Sequence, residues 1–130
     1  MVLDTSAIAA VVFGEADAEV LLSVMLANAG DLQISAATLV EVSILVEAKQ
    51  GHEASADLHT LLVTTGAITA ALDADQAELA AGAWRRFGKG RHPAGLNLGD
   101  CFSYALSKAL AAPLLFKGQD FVQTDVASAL

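Results

Sequence analysis

Short apolar runs of strand length alternate with segments of helix length along this chain, and that alternation admits few folds. Val2-Leu3-Asp4 reads as a short buried strand. Thr5-Ser6 opens a helix through Ala7–Phe13, which Gly14 stops. Glu15–Ala29 is a second helix, with Val20, Leu21, Val24 and Met25 on a period of roughly 3.6 residues. Asp31–Ser35 alternates like a strand. Ala36–Lys49 and Glu53–Thr65 are helices ended by Gly51 and Gly66, and Ala67–Ala71 is a third strand. Asp73–Phe87 carries an acidic first turn and a basic last turn, as a helix macrodipole favours. Gly88–Leu96 is a loop with three glycines and a proline, and Asn97 caps a helix to about Ala111. Pro113–Phe116 is a fourth strand and Gln123–Val126 a fifth. Such alternation predicts an α/β sandwich around a mostly parallel sheet.

The 130 residues suit one domain over 1–130. At 55% hydrophobic residues and a mean hydropathy of +0.53, the chain is no disordered segment, and that much apolar surface suggests that another chain covers part of it. The lone Cys101 excludes an internal disulfide and a cysteine-cluster zinc site. No basic run precedes Val2-Leu3, and the longest charge-free run, Leu58 to Leu72, falls short of a bilayer span. A soluble cytoplasmic protein without membrane contact is expected.

The net charge of −8 argues against nucleic acid only on average. Residues 1–84 hold one cation, Lys49, against twelve carboxylates, whereas residues 85–130 hold six cations against three. Four of the six fall in Arg85-Arg86-Phe87-Gly88-Lys89-Gly90-Arg91, followed by His92. That stretch is either a solvated helix end or a local nucleic-acid grip.

Four carboxylates lie where the chain changes direction: Asp4, Glu41, Asp100 and Asp120. Each has an ordinary explanation. Asp4 precedes a helix and suits a cap. Glu41 stands three residues after Thr38, a capping-box spacing. Asp100 stands three after Asn97 and favours a first turn. Asp120 in Gly118-Gln119-Asp120 suits a turn. Together they fit less well as caps. Ligands of open α/β sheets bind beyond the carboxyl ends of the strands, where Asp4 and Asp120 fall and helix starts such as those near Glu41 and Asp100 can face. Val40, Val42, Ile44 and Leu45 give Glu41 an apolar setting, and no Lys or Arg precedes Lys49 to neutralise it or Asp4. A bound Mg²⁺ or Mn²⁺ suits such all-oxygen donors.

These residues resemble a known family. Val2-Leu3-Asp4-Thr5-Ser6-Ala7, Thr38-Leu39-Val40-Glu41-Val42, Asn97-Leu98-Gly99-Asp100-Cys101-Phe102-Ser103-Tyr104-Ala105 and Leu114-Leu115-Phe116-Lys117-Gly118-Gln119-Asp120-Phe121 resemble, in order and spacing, the PIN-domain ribonucleases, specifically the VapC-type toxins of bacterial toxin–antitoxin pairs. The resemblance implies a PIN-like three-layer α/β/α sandwich and a Mg²⁺- or Mn²⁺-dependent endoribonuclease that arrests translation. It also implies a VapB-like antitoxin, a homodimer, and contact with promoter DNA only through the antitoxin. Asp4 and Asp100 are then expected to hold the metal, Asp120 to ligate directly, at a second ion or through water, and Glu41 to ligate, orient or deprotonate the attacking water. Thr5 and Ser6 are expected behind them as supports, and Asp125 is a less secure further polar residue. Arg85, Arg86, Lys89, Arg91 and Asn97 are expected to hold RNA.

Other residues are assigned plainer roles. Cys101 is a small buried hydrophobe, His52, His59 and His92 lack metal-pair spacing, and Trp84 and Phe87 belong to the core rather than to base stacking. Part of the apolar first half, Ile8 to Val46, is expected to form a groove for an amphipathic antitoxin helix. Two rival functions are an inactive PIN-like binding module and a phosphotransfer enzyme using a strand-end Asp nucleophile, although the second Asp of haloacid-dehalogenase-type phosphatases is missing after Asp4-Thr5-Ser6.

Overall fold

A computed structural model describes the whole chain, Met1–Leu130. Four short strands, β1 (Val2–Leu3), β2 (Gln33–Ser35), β3 (Ile68–Ala70) and β4 (Leu114–Leu115), form one sheet in the order β3-β2-β1-β4. Every pairing is parallel, with Val2 opposite both Gln33 and Leu114. Successive strand side chains point to opposite faces, so each strand feeds two cores. Val2 and Leu114 pack with Leu96, Leu106 and Phe116, whereas Leu3 and Leu115 pack with Ile8, Met25 and Ile34.

Helices α5 (Ala74–Phe87) and α6 (Leu98–Leu110) cover the first face through Ala80, Ala83, Tyr104 and Ala105. Helices α1 (Thr5–Val12), α2 (Ala18–Ala27), α3 (Ala36–Gln50) and α4 (His52–Thr65) cover the second through Ala7, Leu21, Val42, Val46 and Leu58. Parallel strands covered on both faces read as unbroken apolar runs, which is what Val2-Leu3 and Leu114-Leu115 are. The result is the expected three-layer α/β/α sandwich. No helix is long and apolar enough to cross a membrane.

Two expectations are corrected. The helix expected over Glu15–Ala29 begins only at Ala18, because Glu15 and Asp17 turn aside to pair with Lys117 beyond β4. The fifth strand expected at Gln123–Val126 does not form. Val122 N–H donates to Gln119 O, both the N–H and the hydroxyl of Thr124 donate to Phe121 O, and Tyr104 and Lys108 hold the Asp125 carboxylate. Local bonds of this kind compete with a ladder and fix bends instead. The chain meets β4 only afterwards, where Leu114 N–H donates to Ala127 O and Ala129 N–H to Leu114 O, covering that edge.

Candidate active site

The strand order places the site. From β1 the chain steps outward to β2 and β3, then returns to place β4 on the other side of β1. The carboxyl ends of β1 and β4 therefore flank the point where winding reverses, the usual ligand crevice of an open α/β sheet. Asp4 follows β1 there, nearly fully buried. It caps α1 by accepting from Ser6 N–H at 3.0 Å, and the same oxygen accepts from the Ser6 hydroxyl at 2.6 Å. Its other oxygen accepts from the buried Ser103 hydroxyl at 2.6 Å. Ser6 Oγ in turn accepts from Lys117 N–H at 2.9 Å, fastening β1 to the end of β4. Three neutral donors thus hold Asp4; a carboxylate with about four lone-pair sites keeps one to offer a cation.

Asp100, also buried, lies in the first turn of α6. It forms a capping box: Asn97 Oδ1 accepts from Asp100 N–H at 2.9 Å, and Asp100 Oδ2 accepts from Asn97 N–H at 3.0 Å. Burial pushes its carboxyl up from 3.8 to about 7; the Asn97 N–H opposes this, and the charges of Asp4, Asp120 and Glu41 add to it. The charges of the other three carboxylates thus all reach Asp100, and no Lys or Arg is among the groups acting on it.

Glu41 is exposed on α3 rather than buried, and Val40, Ile44 and Leu45 are exposed beside it. The apolar setting inferred from its neighbours in sequence is therefore absent. The capping-box explanation fails as well, because Ser35 caps α3 and Glu41 comes more than one turn later. Its carboxylate accepts from the Thr5 hydroxyl and rests over Gly99, where an added Cβ would overlap it. A Cβ at position 99 would push that carboxylate away from where it now rests. Asp120 is exposed in the turn after β4. As the side chains stand, no three of them draw close enough to share one ion; Glu41 and Asp120, both exposed, are the two free to turn.

The basic stretch divides. Arg86 lies 3.5 Å from Asp125, which Lys108 and the Tyr104 hydroxyl also hold, so it is tied away from the carboxylates. Arg91 stacks over Trp84 at 4.7 Å and donates from Nε to Arg85 O. Lys89 and Asn97 line a cavity beside the start of α6, and Arg85 is exposed without an ion pair. The Thr5 hydroxyl donates to Glu41, and the Ser6 N–H and hydroxyl donate to Asp4. Three participants carried no expectation: Ser103, which holds Asp4; Thr38, whose hydroxyl lies 3.3 Å from that of Ser103; and Gly99. Ser103 stands three residues after Asp100, on the same helix face, and that spacing is the one sequence signal that marks it.

A family model described as PIN domain matches residues 1–127. The chain belongs to the PIN domain family. Among full-length relatives, it is 48% identical over 128 residues to the ribonuclease VapC of Mycolicibacterium smegmatis, an alignment covering 98% of each chain. It is 44% identical over 128 residues to the ribonuclease VapC30 of Mycobacterium tuberculosis, covering 98% of this chain and 97% of that one. The PIN fold is matched by the crystal structure of Mycobacterium tuberculosis VapC20, described as a sarcin–ricin loop cleaving toxin, with a TM-score of 0.79 over 97% of this chain and 95% of the other. At 20% identity, that likeness concerns the fold.

Proposed function

We propose that this chain is a metal-dependent endoribonuclease, the toxin of a toxin–antitoxin pair, which hydrolyses RNA phosphodiester bonds and thereby arrests translation. The observation that carries this is the pair of buried carboxylates, Asp4 and Asp100, at the switch point with two further acids beside them and no cationic side chain acting on Asp100. The whole-length likeness to VapC ribonucleases supports the activity. Residues 1–130 are taken as one domain.

The donors fit a hard divalent cation: they are all oxygen, and Asp100 is destabilised as an anion by its surroundings. Asp4 and Asp100 would hold Mg²⁺ or Mn²⁺, with Asp120 turning toward it. The bound ion supplies stabilisation of charge on the scissile phosphate and acidifies a water. Ser6 and Ser103 fix the Asp4 rotamer, and Asn97 fixes that of Asp100. Glu41, seated over Gly99 and steadied by Thr5, orients the attacking water and accepts its proton as the phosphorus–oxygen bond to the leaving sugar breaks. Lys89 and Asn97, which line the cavity beside the start of α6, bind RNA together with Arg85 and Arg91 of the same basic stretch; Arg86 is committed to Asp125 and contributes less.

The remaining partners are a VapB-like antitoxin and a second copy in a homodimer, with promoter DNA reached through the antitoxin and the protein in the cytoplasm. Asp4, already holding three donors, makes a poor phosphoryl-accepting nucleophile. An inactive PIN-like module is the second reading, favoured by the spread of the four carboxylates. Expression without antitoxin, with cellular RNA mapped for cleavage, decides between them: growth arrest and cleavage lost in Asp4→Asn support the nuclease. Folded protein that neither arrests growth nor cleaves RNA supports the module.

A further inference from the structure

Trp84, expected in the core, is 46% exposed. It is the sole tryptophan of the chain and walls a cavity of about 510 Å³ between α5 and the start of α6, with Leu72, Leu98, Phe102, Lys89 and Asn97 among the other lining residues. That volume lies within the range of about 300–1,000 Å³ typical of ligand sites. Leu98 at its mouth is 73% exposed. A ring and an aliphatic side chain left open beside one another mark a place where something apolar docks.

Three further observations choose the occupant. The first is charge. In a chain whose residues 1–84 carry a single cation, this cavity has Lys89 in its lining, no carboxylate in its lining, and Arg91 over the indole at 4.7 Å. Arg91 itself does not line the cavity. The second is continuity: Asn97 and Leu98 line the cavity and immediately precede Gly99 and Asp100. The third is a hydrogen-bond donor: Asn97 Oδ1 is taken by Asp100 N–H, which leaves its exposed amide N–H₂ to donate. A flat aromatic ligand attached to anionic groups satisfies all three, whereas a purely apolar protein segment leaves the cations unexplained.

We propose that this cavity is a base-binding subsite, in which an unpaired nucleobase of the RNA substrate stacks on Trp84 while Lys89 holds a phosphate on the way to Asp100. The proposal rests on the nuclease reading and narrows its substrate to RNA with a base free to leave its stack, as in single strands and loops. Double-helical RNA keeps its bases stacked and does not fill the cavity.

The sole tryptophan makes the test direct, because intrinsic fluorescence reports on the cavity alone. The wild-type protein is titrated in EDTA with a short single-stranded oligoribonucleotide, with the same strand made abasic at every position, and with a duplex. Cleavage of the intact strand is followed in parallel with Mn²⁺. Quenching by the intact strand, with little from the abasic strand or duplex, is the expected result. Trp84→Ala should weaken binding of a labelled strand roughly tenfold, and Trp84→Phe should restore most of it, since stacking needs a ring rather than an indole. Equal quenching by abasic and intact strands would reduce the site to a phosphate contact and overturn the proposal. So would no quenching at saturation, or a signal that changes with protein concentration without RNA, which would place a second copy of this chain in the cavity. Failure of cleavage in the Mn²⁺ sample instead strikes the nuclease reading itself, whatever the fluorescence shows.

Discussion

Helix α6 carries two acidic sites that the fold treats in opposite ways. At its start, Asp100 is buried beside Asp4, Asp120 and Glu41, and its carboxyl is pushed up to about 7. At its far end, Lys108 reaches the exposed Asp125 at 3.1 Å, Arg86 lies at 3.5 Å, and Tyr104 donates at 2.7 Å. Burial is the largest single influence on the Asp125 carboxyl and pushes it up, but the bonds from Tyr104 and Lys108 and the charges of Lys108 and Arg86 together outweigh it and hold the carboxyl below its ordinary value. Cations are therefore within reach of this helix, and they serve the other cluster. Lys117, only a strand end from Asp4, likewise turns to Glu15 and Asp17. A neutralised acid cluster is structural and works without help. One left uncompensated at a switch point is stable only with an added cation or a retained proton.

The comparison breaks most sharply on activity. Asp100→Asn should lower RNA cleavage by roughly 10²–10³-fold or more, while Asp125→Asn leaves it within about twofold; equal losses would erase the distinction. Gly99→Ala should lower cleavage roughly tenfold, because the new Cβ displaces Glu41. Folding stability should be unchanged or raised by up to about 1 kcal/mol, since alanine suits a helix interior better than glycine. Calorimetry beside a cleavage assay separates the two effects.

Ser103→Ala leaves a buried Asp4 oxygen without its donor and should cost about 1–3 kcal/mol by urea denaturation, with Ser103→Thr recovering part if the methyl fits. The pH dependence sharpens the contrast further. As pH rises from about 4 to about 7, the unfolded chain releases the Asp100 proton while the folded chain keeps it, so stability in EDTA should fall across that window and level off above it. Asp100→Asn should flatten the fall, and Mn²⁺ should reverse it. Asp125 titrates the other way: its contribution is present at neutral pH and is lost on acidification. Lys108→Ala, which removes one exposed partner of Asp125, should cost less than about 1 kcal/mol and leave cleavage intact.

Much of this contrast was legible in the chain. The alternation of apolar runs with helical segments gave the sandwich, and strand-end placement singled out Asp4 and Asp120. Asn97 and Asp100 were readable as a capping pair, and they form one while Asp100 also faces the other acids. The apolar setting read around Glu41 is absent, because Val40, Ile44 and Leu45 are apolar neighbours in sequence but solvent neighbours in the fold. The basic stretch looked like one patch because its residues are consecutive. A helix end fans consecutive side chains around its axis, so Arg86 goes to Asp125 while Lys89 goes to the cavity. Trp84 was taken as core because its size and apolarity favour burial, and nothing local says that α5 and α6 leave a gap beside it.

The sequence by itself determined the layers, the strand ends and the identity of the four acids, because periodicity and capping are local properties of a few neighbouring residues. Only the tertiary structure decided that Ser103 holds Asp4, that Gly99 admits Glu41, and that Lys117 is spent on Glu15 and Asp17. Those outcomes depend on which side chains meet across 36 to 102 residues of chain, and such meetings are set by how helices pack on the sheet.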